Sequence, residues 1–120
     1  MAQFSKQRLS GSTDARGILV AATSSPGTTI HTGPSASATI DELWIYGMNT
    51  DTTARKITLQ WGGTTSPNDD IELTLNAESG LVLLSPGLMI QGNATPLVVR
   101  AFASAANTIT IHGYIHRITP

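Results

Sequence analysis

The sequence contains no cysteine, which excludes disulfide bonds, thiolate catalysis and cysteine-ligated zinc. Charged residues are also scarce, because they make up only 12% of the chain, against about 25% in an average soluble protein. The formal net charge is −1 at pH 7, so there is no basic field to hold nucleic acid or an anionic membrane. We therefore expect a surface of Thr, Ser, Asn, Gln and Gly, which resists association less than a charged surface does.

Long apolar segments are missing as well. No run approaches the roughly 18 residues of a transmembrane helix, and the N-terminus lacks the apolar core of a signal peptide. We therefore expect neither insertion into a membrane nor export. With 120 residues the chain is the size of one domain, and a second core is not expected.

The first 16 residues are polar and aperiodic, with Phe4 and Leu9 as their large apolar side chains. They predict a flexible N-terminal arm over residues 1–16, followed by a single β-domain over residues 17–120. Such an arm is either a frayed terminus, because ordering costs about 1–2 kcal/mol per residue, or a segment that orders on a neighbouring subunit. In the second case Phe4 and Leu9 are its anchors.

From Gly17 onward the chain is a series of short β-rich runs that end at Gly, Pro, Asn or Asp. No 3.6-residue period persists for three turns, so helix is not expected. Turn-forming triplets such as Ser85-Pro86-Gly87 separate the runs. The pattern predicts an all-β fold, an eight-stranded antiparallel β-sandwich or barrel. The predicted strands are Gly17–Ala22, Gly27–Thr32, Ala38–Asn49, Arg55–Trp61, Asp70–Asn76, Gly80–Leu84, Pro96–Ala103 and Thr108–Ile118.

Alternation along the strands indicates which faces are buried. The runs Arg55–Trp61 and Asp70–Asn76 each have one apolar and one polar face. Apolar or aromatic side chains occur on both faces of three other runs, namely Ala38–Asn49, Pro96–Ala103 and Thr108–Ile118. A small monomer has one core, so a second apolar face needs long loops, the arm or another subunit to cover it. Aromatic residues and Met are enriched in interfaces. The predicted protein-interface residues are Phe4, Leu9, Trp44, Tyr46, Met48, Phe102 and Tyr114.

Residues that could carry chemistry do not form a recognisable site. His112 and His116 share a strand face, but their backbones are about 13 Å apart at about 3.3 Å per residue, too far to chelate one ion readily. The acidic clusters, at residues 41–42 and 69–72, lack the spacing of a calcium loop. No nucleophile elbow or phosphate-binding loop is present. We therefore predict no enzymatic activity, no metal and no cofactor.

Six stretches resemble a family of small tailed-bacteriophage proteins encoded among virion structural genes. They cover nearly the whole chain and describe a β-scaffold without an active site. The stretches are Arg8–Gly17, Pro26–Thr32, Asp41–Thr50, Ile57–Thr65, Leu97–Ala103 and Gly113–Ile118.

The resemblance implies a jelly-roll capsid cement or decoration protein, made in the bacterial host cytoplasm and placed on the capsid exterior. Its expected partners are copies of itself, in a homotrimer, and the phage major capsid protein, with no nucleic acid or membrane. Two alternatives stay open. One is a tail, adaptor or spike component, and the other is a carbohydrate- or receptor-binding β-sandwich module.

Overall fold

The computed structural model describes residues 2–120, which form nine β-strands and no helix. None of these residues therefore lies in a helix that could cross a membrane. The all-β class is confirmed, but the number of strands is nine rather than the predicted eight. The strands are β1 (Gln3–Arg8), β2 (Ile18–Leu19), β3 (Thr28–Thr32), β4 (Ile40–Asn49), β5 (Arg55–Trp61), β6 (Asp70–Leu75), β7 (Gly80–Gln91), β8 (Val98–Ala103) and β9 (Ile109–Thr119).

The strands form two antiparallel sheets. Sheet A has the order β1-β9-β4-β7, with β2 also paired to β9, and sheet B has the order β3-β8-β5-β6. Strands β1 and β2 follow one another along the same side of β9. Because one core cluster draws side chains from both sheets, the architecture is that of a β-sandwich.

The pairings from β2 onward follow one rule. β2 pairs with β9, β3 with β8, β4 with β7 and β5 with β6, as in one long hairpin whose tip joins β5 to β6. Pairing of β4 with β9 and of β5 with β8 then closes this hairpin into two sheets. The chain consequently crosses between the sheets at every connection from β2 to β9 except the one between β5 and β6.

The core lies between the sheets and follows the predicted alternation. Leu43 and Ile45 of β4 and Ile111 of β9 point inward from sheet A, and Leu59 and Val99 point inward from sheet B. Each of the five has at most 1% of its surface exposed. Burial of such a side chain contributes about 1.5–3 kcal/mol, so these alternating positions hold the two sheets together.

The structure corrects the prediction of a flexible N-terminal arm. Gln3–Arg8 form β1, which pairs along β9, and Leu9 is 1% exposed in the core. The next residues are also fixed, because the Gly11 N–H donates to the Ile30 carbonyl at 2.9 Å. Leu9 and this contact bring the segment into the protein's own sandwich. Met1 lies outside the described residues.

A second correction concerns the predicted turn Ser85-Pro86-Gly87. It lies inside β7, which continues to Gln91 instead of ending at Leu84. Two register shifts opposite residues 43–46 of β4 absorb the irregularity. Proline is tolerated here because β7 is an edge strand paired only to β4, so its free side loses no ladder hydrogen bond.

Candidate functional site

The side of sheet A that is turned away from sheet B, called here the outer face, collects most of the predicted interface residues. Residues paired across an antiparallel ladder point to the same side. Trp44 pairs with Tyr114, Tyr46 with His112, and Met48 with Thr110. All lie opposite to the core-facing positions of β4 and β9, and all are half-buried. The outer face therefore presents an aromatic and apolar centre to its surroundings.

The centre of the outer face is a shelf of aromatic rings. The rings of Trp44 and Tyr114 are nearly parallel, with an interplanar angle of 16° and centroids 6.5 Å apart. His116 follows Tyr114 at a centroid distance of 5.5 Å, and the Lys6 ammonium lies 4.4 Å from the Tyr114 centroid. These contacts hold the rings as a rigid surface, which lowers the entropic cost of binding a partner.

Glu42 fixes the orientation of two members of the shelf. Its Oε1 accepts a hydrogen bond from Trp44 Nε1 at 2.7 Å and lies 3.1 Å from His116 Nδ1. The hydrogen bond from Trp44 and, to a smaller extent, the one from His116 hold the pKa of Glu42 below its usual range. The carboxylate therefore stays ionised at neutral pH and keeps the indole in one position.

Exposed apolar side chains flank the shelf. On β7, Leu81, Leu83 and Met89 are 60%, 44% and 61% exposed. On the opposite side, Phe4 of β1 is 72% exposed and Leu19 of β2 is 52% exposed. Register places all five on the outer face, opposite outward residues of β4 or β9. Large apolar groups therefore extend across the full width of sheet A.

The structure does not bring all seven predicted interface residues together. Five of them lie on the outer face, namely Phe4, Trp44, Tyr46, Met48 and Tyr114. Phe102 lies on the opposite surface of the molecule, since it pairs with Thr58 on the outward side of sheet B. Leu9 is a core residue, and its prediction as an interface anchor is corrected by its burial.

The outward side of sheet B is partly covered by the chain itself. Gln60 points outward from β5, yet it is only 1% exposed. Its Oε1 accepts the Gly27 N–H at 2.8 Å, and its Nε2 donates to Ser25 Oγ at 2.8 Å. The connection between β2 and β3 thus folds over the outward side of sheet B, and coverage by a loop is one of the explanations that the sequence offered for a second apolar face. In residues 2–120 no comparable segment is bonded over the shelf of sheet A.

A buried charge cluster, missed by the sequence analysis, ties three strands to the end of β1. Asp41 is fully buried and accepts from Arg117 at 2.8 Å through each oxygen, and its Oδ2 also lies 2.7 Å from His31 Nε2. The Ser10 N–H donates to His31 Nδ1 at 3.0 Å, so Nε2 carries the ring proton. Asp41 and Arg117 are 76 residues apart, and only the pairing of β4 with β9 joins them.

This cluster holds β3, β4 and β9 together. Burial alone would raise the pKa of Asp41, but the hydrogen bonds from Arg117 and His31 outweigh it and hold that pKa below its usual value. Both ring nitrogens of His31 have hydrogen-bond partners within the cluster, since Nδ1 accepts the Ser10 N–H and Nε2 is bonded to Asp41. No group of three or more His, Asp or Glu side chains in residues 2–120 is placed to hold a metal ion.

Comparisons with protein-family models, curated proteins and solved structures returned no match to this chain. The geometry of the outer face is therefore the main structural basis for a functional assignment.

Proposed function

We propose that this chain is a non-enzymatic structural protein of a tailed-bacteriophage virion, and that it acts as a capsid cement or decoration protein. In this role it forms a homotrimer on the capsid exterior and binds the lattice of major capsid protein subunits without a cofactor. The observation that carries the proposal is the outer face of sheet A. That face is rigid, aromatic and apolar, and within residues 2–120 no loop covers it as a loop covers sheet B.

The strand order supports the jelly roll that the sequence resemblance implies. Jelly rolls have eight strands in two sheets and occur in viral capsid domains. Strands β2 to β9 pair as one long hairpin wrapped into two four-stranded sheets, β2-β9-β4-β7 and β3-β8-β5-β6. We infer from this order that the domain is a jelly roll to which β1 is added as an extra edge strand.

The composition of the outer face fits a surface that binds protein. Interface centres are depleted of charge and enriched in Trp, Tyr and Met. Trp44, Tyr46, Met48 and Tyr114 occupy adjoining positions on β4 and β9, and the one acidic group among them, Glu42, is bonded to its neighbours. A partner therefore meets an aromatic and apolar surface on which the Glu42 carboxylate already accepts the Trp44 indole N–H.

A protein that binds only the assembled lattice stabilises the lattice by its own binding free energy. Many weakly bound copies can thus strengthen a shell, particularly when each oligomer contacts several subunits at once. A small domain without a catalytic centre can perform this function.

Rebinding to phage shells that have been stripped of accessory proteins tests the proposal. The wild-type protein is expected to bind saturably and to raise the melting temperature of the shells. Trp44→Ala removes the centre of the shelf, and we expect its affinity to fall at least about 30-fold, as for an interface hot spot of about 2 kcal/mol. Phe102→Ala, on the opposite surface, is the matched control and should bind like the wild type.

A folded wild-type protein that does not bind such shells would refute the cement proposal. Equal affinities of the wild type and Trp44→Ala would instead refute the outer face as the contact surface.

The resemblance is also compatible with a tail, adaptor or spike component, which differs from cement in its location within the particle. Antibody labelling of intact virions distinguishes these roles, since cement decorates the whole shell whereas the other components label a vertex, the tail or its tip.

A carbohydrate-binding module is the second candidate, and the aromatic shelf favours it. Nearly parallel Trp44 and Tyr114 rings beside the Glu42 carboxylate can stack on a sugar and accept its hydroxyl hydrogen bonds. A glycan array probed with the wild type and Trp44→Ala tests this alternative. Binding that disappears in the variant would support it, whereas silence of the wild type across the array would exclude it for the glycans tested.

A further inference from the structure

We infer that copies of this chain join head to tail, with the β1 edge of one copy docked against the β6–β7 edge of the next. The first surface, called the basic margin, comprises residues 2–19, and the second, called the acidic margin, comprises residues 62–91. The inference deepens the proposed function, because it rests on the proposed self-assembly and identifies the surfaces that carry it.

The two margins have opposite charge although the whole chain is nearly neutral. Residues 2–19 contain the three cations Lys6, Arg8 and Arg16 and the single acid Asp14, giving a net charge of +2. Residues 62–91 contain four acids and no cation, giving −4. The acids are Asp69, Asp70, Glu72 and Glu78, of which Glu72 is paired with Lys56 of β5. A repeated copy therefore offers each margin a partner of the opposite sign, which favours this orientation over like-to-like contact.

Exposed apolar side chains are confined to the same two margins. Seven large apolar residues are exposed in the described chain, and all seven fall within these segments. Since such residues are otherwise scattered singly over a protein surface, their concentration at two edges indicates contact surfaces. Phe4 and Leu19 belong to the basic margin, and Leu73, Leu81, Leu83, Leu88 and Met89 belong to the acidic margin.

A cleft in the acidic margin matches a side chain of the basic margin. The cleft opens between β6 and β7, has a volume of about 170 Å³ and is lined mainly by aliphatic side chains, including Leu73 and Leu83. An apolar cavity of about 150 Å³ accommodates a benzene ring. Phe4, at 72%, is the most exposed of the large apolar residues. We assign the Phe4 ring of one copy to the β6–β7 cleft of the next.

The margins lie at opposite edges of the sandwich and are large enough for a stable contact. β1 and β7 are the two edges of sheet A, and β6 is an edge of sheet B. The twelve residues of β7 span about 40 Å, and the molecule is 21 Å across in its shortest dimension. The resulting area, on the order of 800 Å², equals the contribution of one partner to an interface of standard size.

Head-to-tail contacts between opposite edges produce a ring when the rotation from each copy to the next adds up to a full turn, and an open chain when it does not. The proposed homotrimer is the closed form. In such a ring the shelf around Trp44 and Tyr114 lies between the two margins and stays free, so every copy can present it to the shell at once.

Paired charge reversals, followed by light scattering and sedimentation of the full chain, test the docking. Arg8→Glu with Arg16→Glu changes the charge of the basic margin from +2 to −2, so that both margins are acidic. Asp69→Lys, Glu72→Lys and Glu78→Lys together change the charge of the acidic margin from −4 to +2, so that both are basic. We expect the double and the triple variant each to dissociate, with a self-dissociation constant raised at least about tenfold by like-charge contact. The variant with all five substitutions carries reversed but complementary margins and should reassociate. Arg100→Glu, on the outward side of sheet B, is the matched single-charge control.

The apolar contact has its own variants. Phe4→Ala removes the inserted ring, and Leu83→Trp narrows the cleft that receives it, so both should yield monomers. Neither substitution alters a charge. Circular dichroism and a thermal melt of each variant separate loss of association from loss of folding.

The outcomes separate this inference from the proposed function. A wild-type chain that stays monomeric at every concentration, or an oligomer that survives both the double and the triple reversal, would overturn the docking while shell binding remained a separate measurement. Dissociation of the double and the triple variant, together with reassociation of the variant with all five substitutions, would support it. Dissociation without that reassociation would overturn the pairing of the two margins.

Discussion

Replacing Asp41 with Asn removes the charge at the centre of the buried cluster while preserving the size of the side chain. His31 Nδ1 must accept the Ser10 N–H, so its Nε2–H requires an acceptor on residue 41. The amide oxygen can supply that acceptor, but the amide N–H₂ group then faces Arg117. The amide N–H₂ of the introduced Asn and the Arg117 guanidinium are both hydrogen-bond donors, so the substitution removes a hydrogen bond between β4 and β9.

The expected cost follows from the burial of each partner. Asp41 is completely buried and His31 is 2% exposed, whereas the side chain of Arg117 is 30% exposed and can regain part of its hydration. Breaking a buried ion pair by removing one member costs about 3–5 kcal/mol. Because Arg117 is partly hydrated, we expect Asp41→Asn to lower the free energy of unfolding by about 3 kcal/mol, near the bottom of that range.

The pH dependence carries a distinct signature. The pKa of Asp41 in the folded protein lies below its ordinary value of 3.8, so its ionised form contributes stability that is fully present above that value. This contribution is lost as the pH falls from 3.8 through the folded pKa. The Asn variant has no such titration, and its difference from the wild type should therefore shrink in acid. Glu42 and Asp51 also have lowered pKa values but remain in both proteins.

Urea unfolding of both proteins, followed by intrinsic tryptophan fluorescence between pH 2.5 and 7, measures these differences. Arg117→Met and the double variant complete a mutant cycle that isolates the pairwise energy. A cost below about 1 kcal/mol at pH 7 would refute the reasoning that this network is buried and satisfied. A difference that did not change with pH would contradict the assignment of the acid-sensitive term to Asp41.

Three further predictions address the packing, each measured as the free energy of unfolding in urea. Gly113→Ala places a Cβ 2.1 Å from the Trp44 carbonyl oxygen and should cost about 1–3 kcal/mol, and a neutral effect would show that β4 and β9 separate readily. Leu9→Ala should cost about 2–5 kcal/mol because Leu9 is 1% exposed, whereas a free arm would predict almost no change. Gln60→Leu removes the side-chain oxygen that accepts the Gly27 N–H. The free energy of unfolding should fall by about 1–3 kcal/mol, and the Gly27 amide should exchange faster. Unchanged exchange there would contradict the role of Gln60 in holding the loop.

Local patterns in the sequence predicted the parts of the fold that depend on neighbouring residues. The alternation of Leu43 and Ile45 with Trp44 and Tyr46 follows from the two-residue period of a strand, and the structure confirms it. The end of the strand at Leu84 was wrong, because Pro86 stops a central strand but not an edge strand with register shifts. Whether a strand is an edge strand depends on distant pairing.

By itself the sequence determined the all-β class, the positions of most strands and the two faces of β4 and β9, because backbone geometry couples each side chain to its immediate neighbours. Only the tertiary structure decided which of those faces is the core, that Leu9 is buried, and that His31, Asp41 and Arg117 meet. It also placed Phe102 away from Trp44 and set the two oppositely charged margins at opposite edges. These features depend on pairings between residues far apart in the chain, whose partners are selected by the packing of two whole sheets and leave no local period in the sequence.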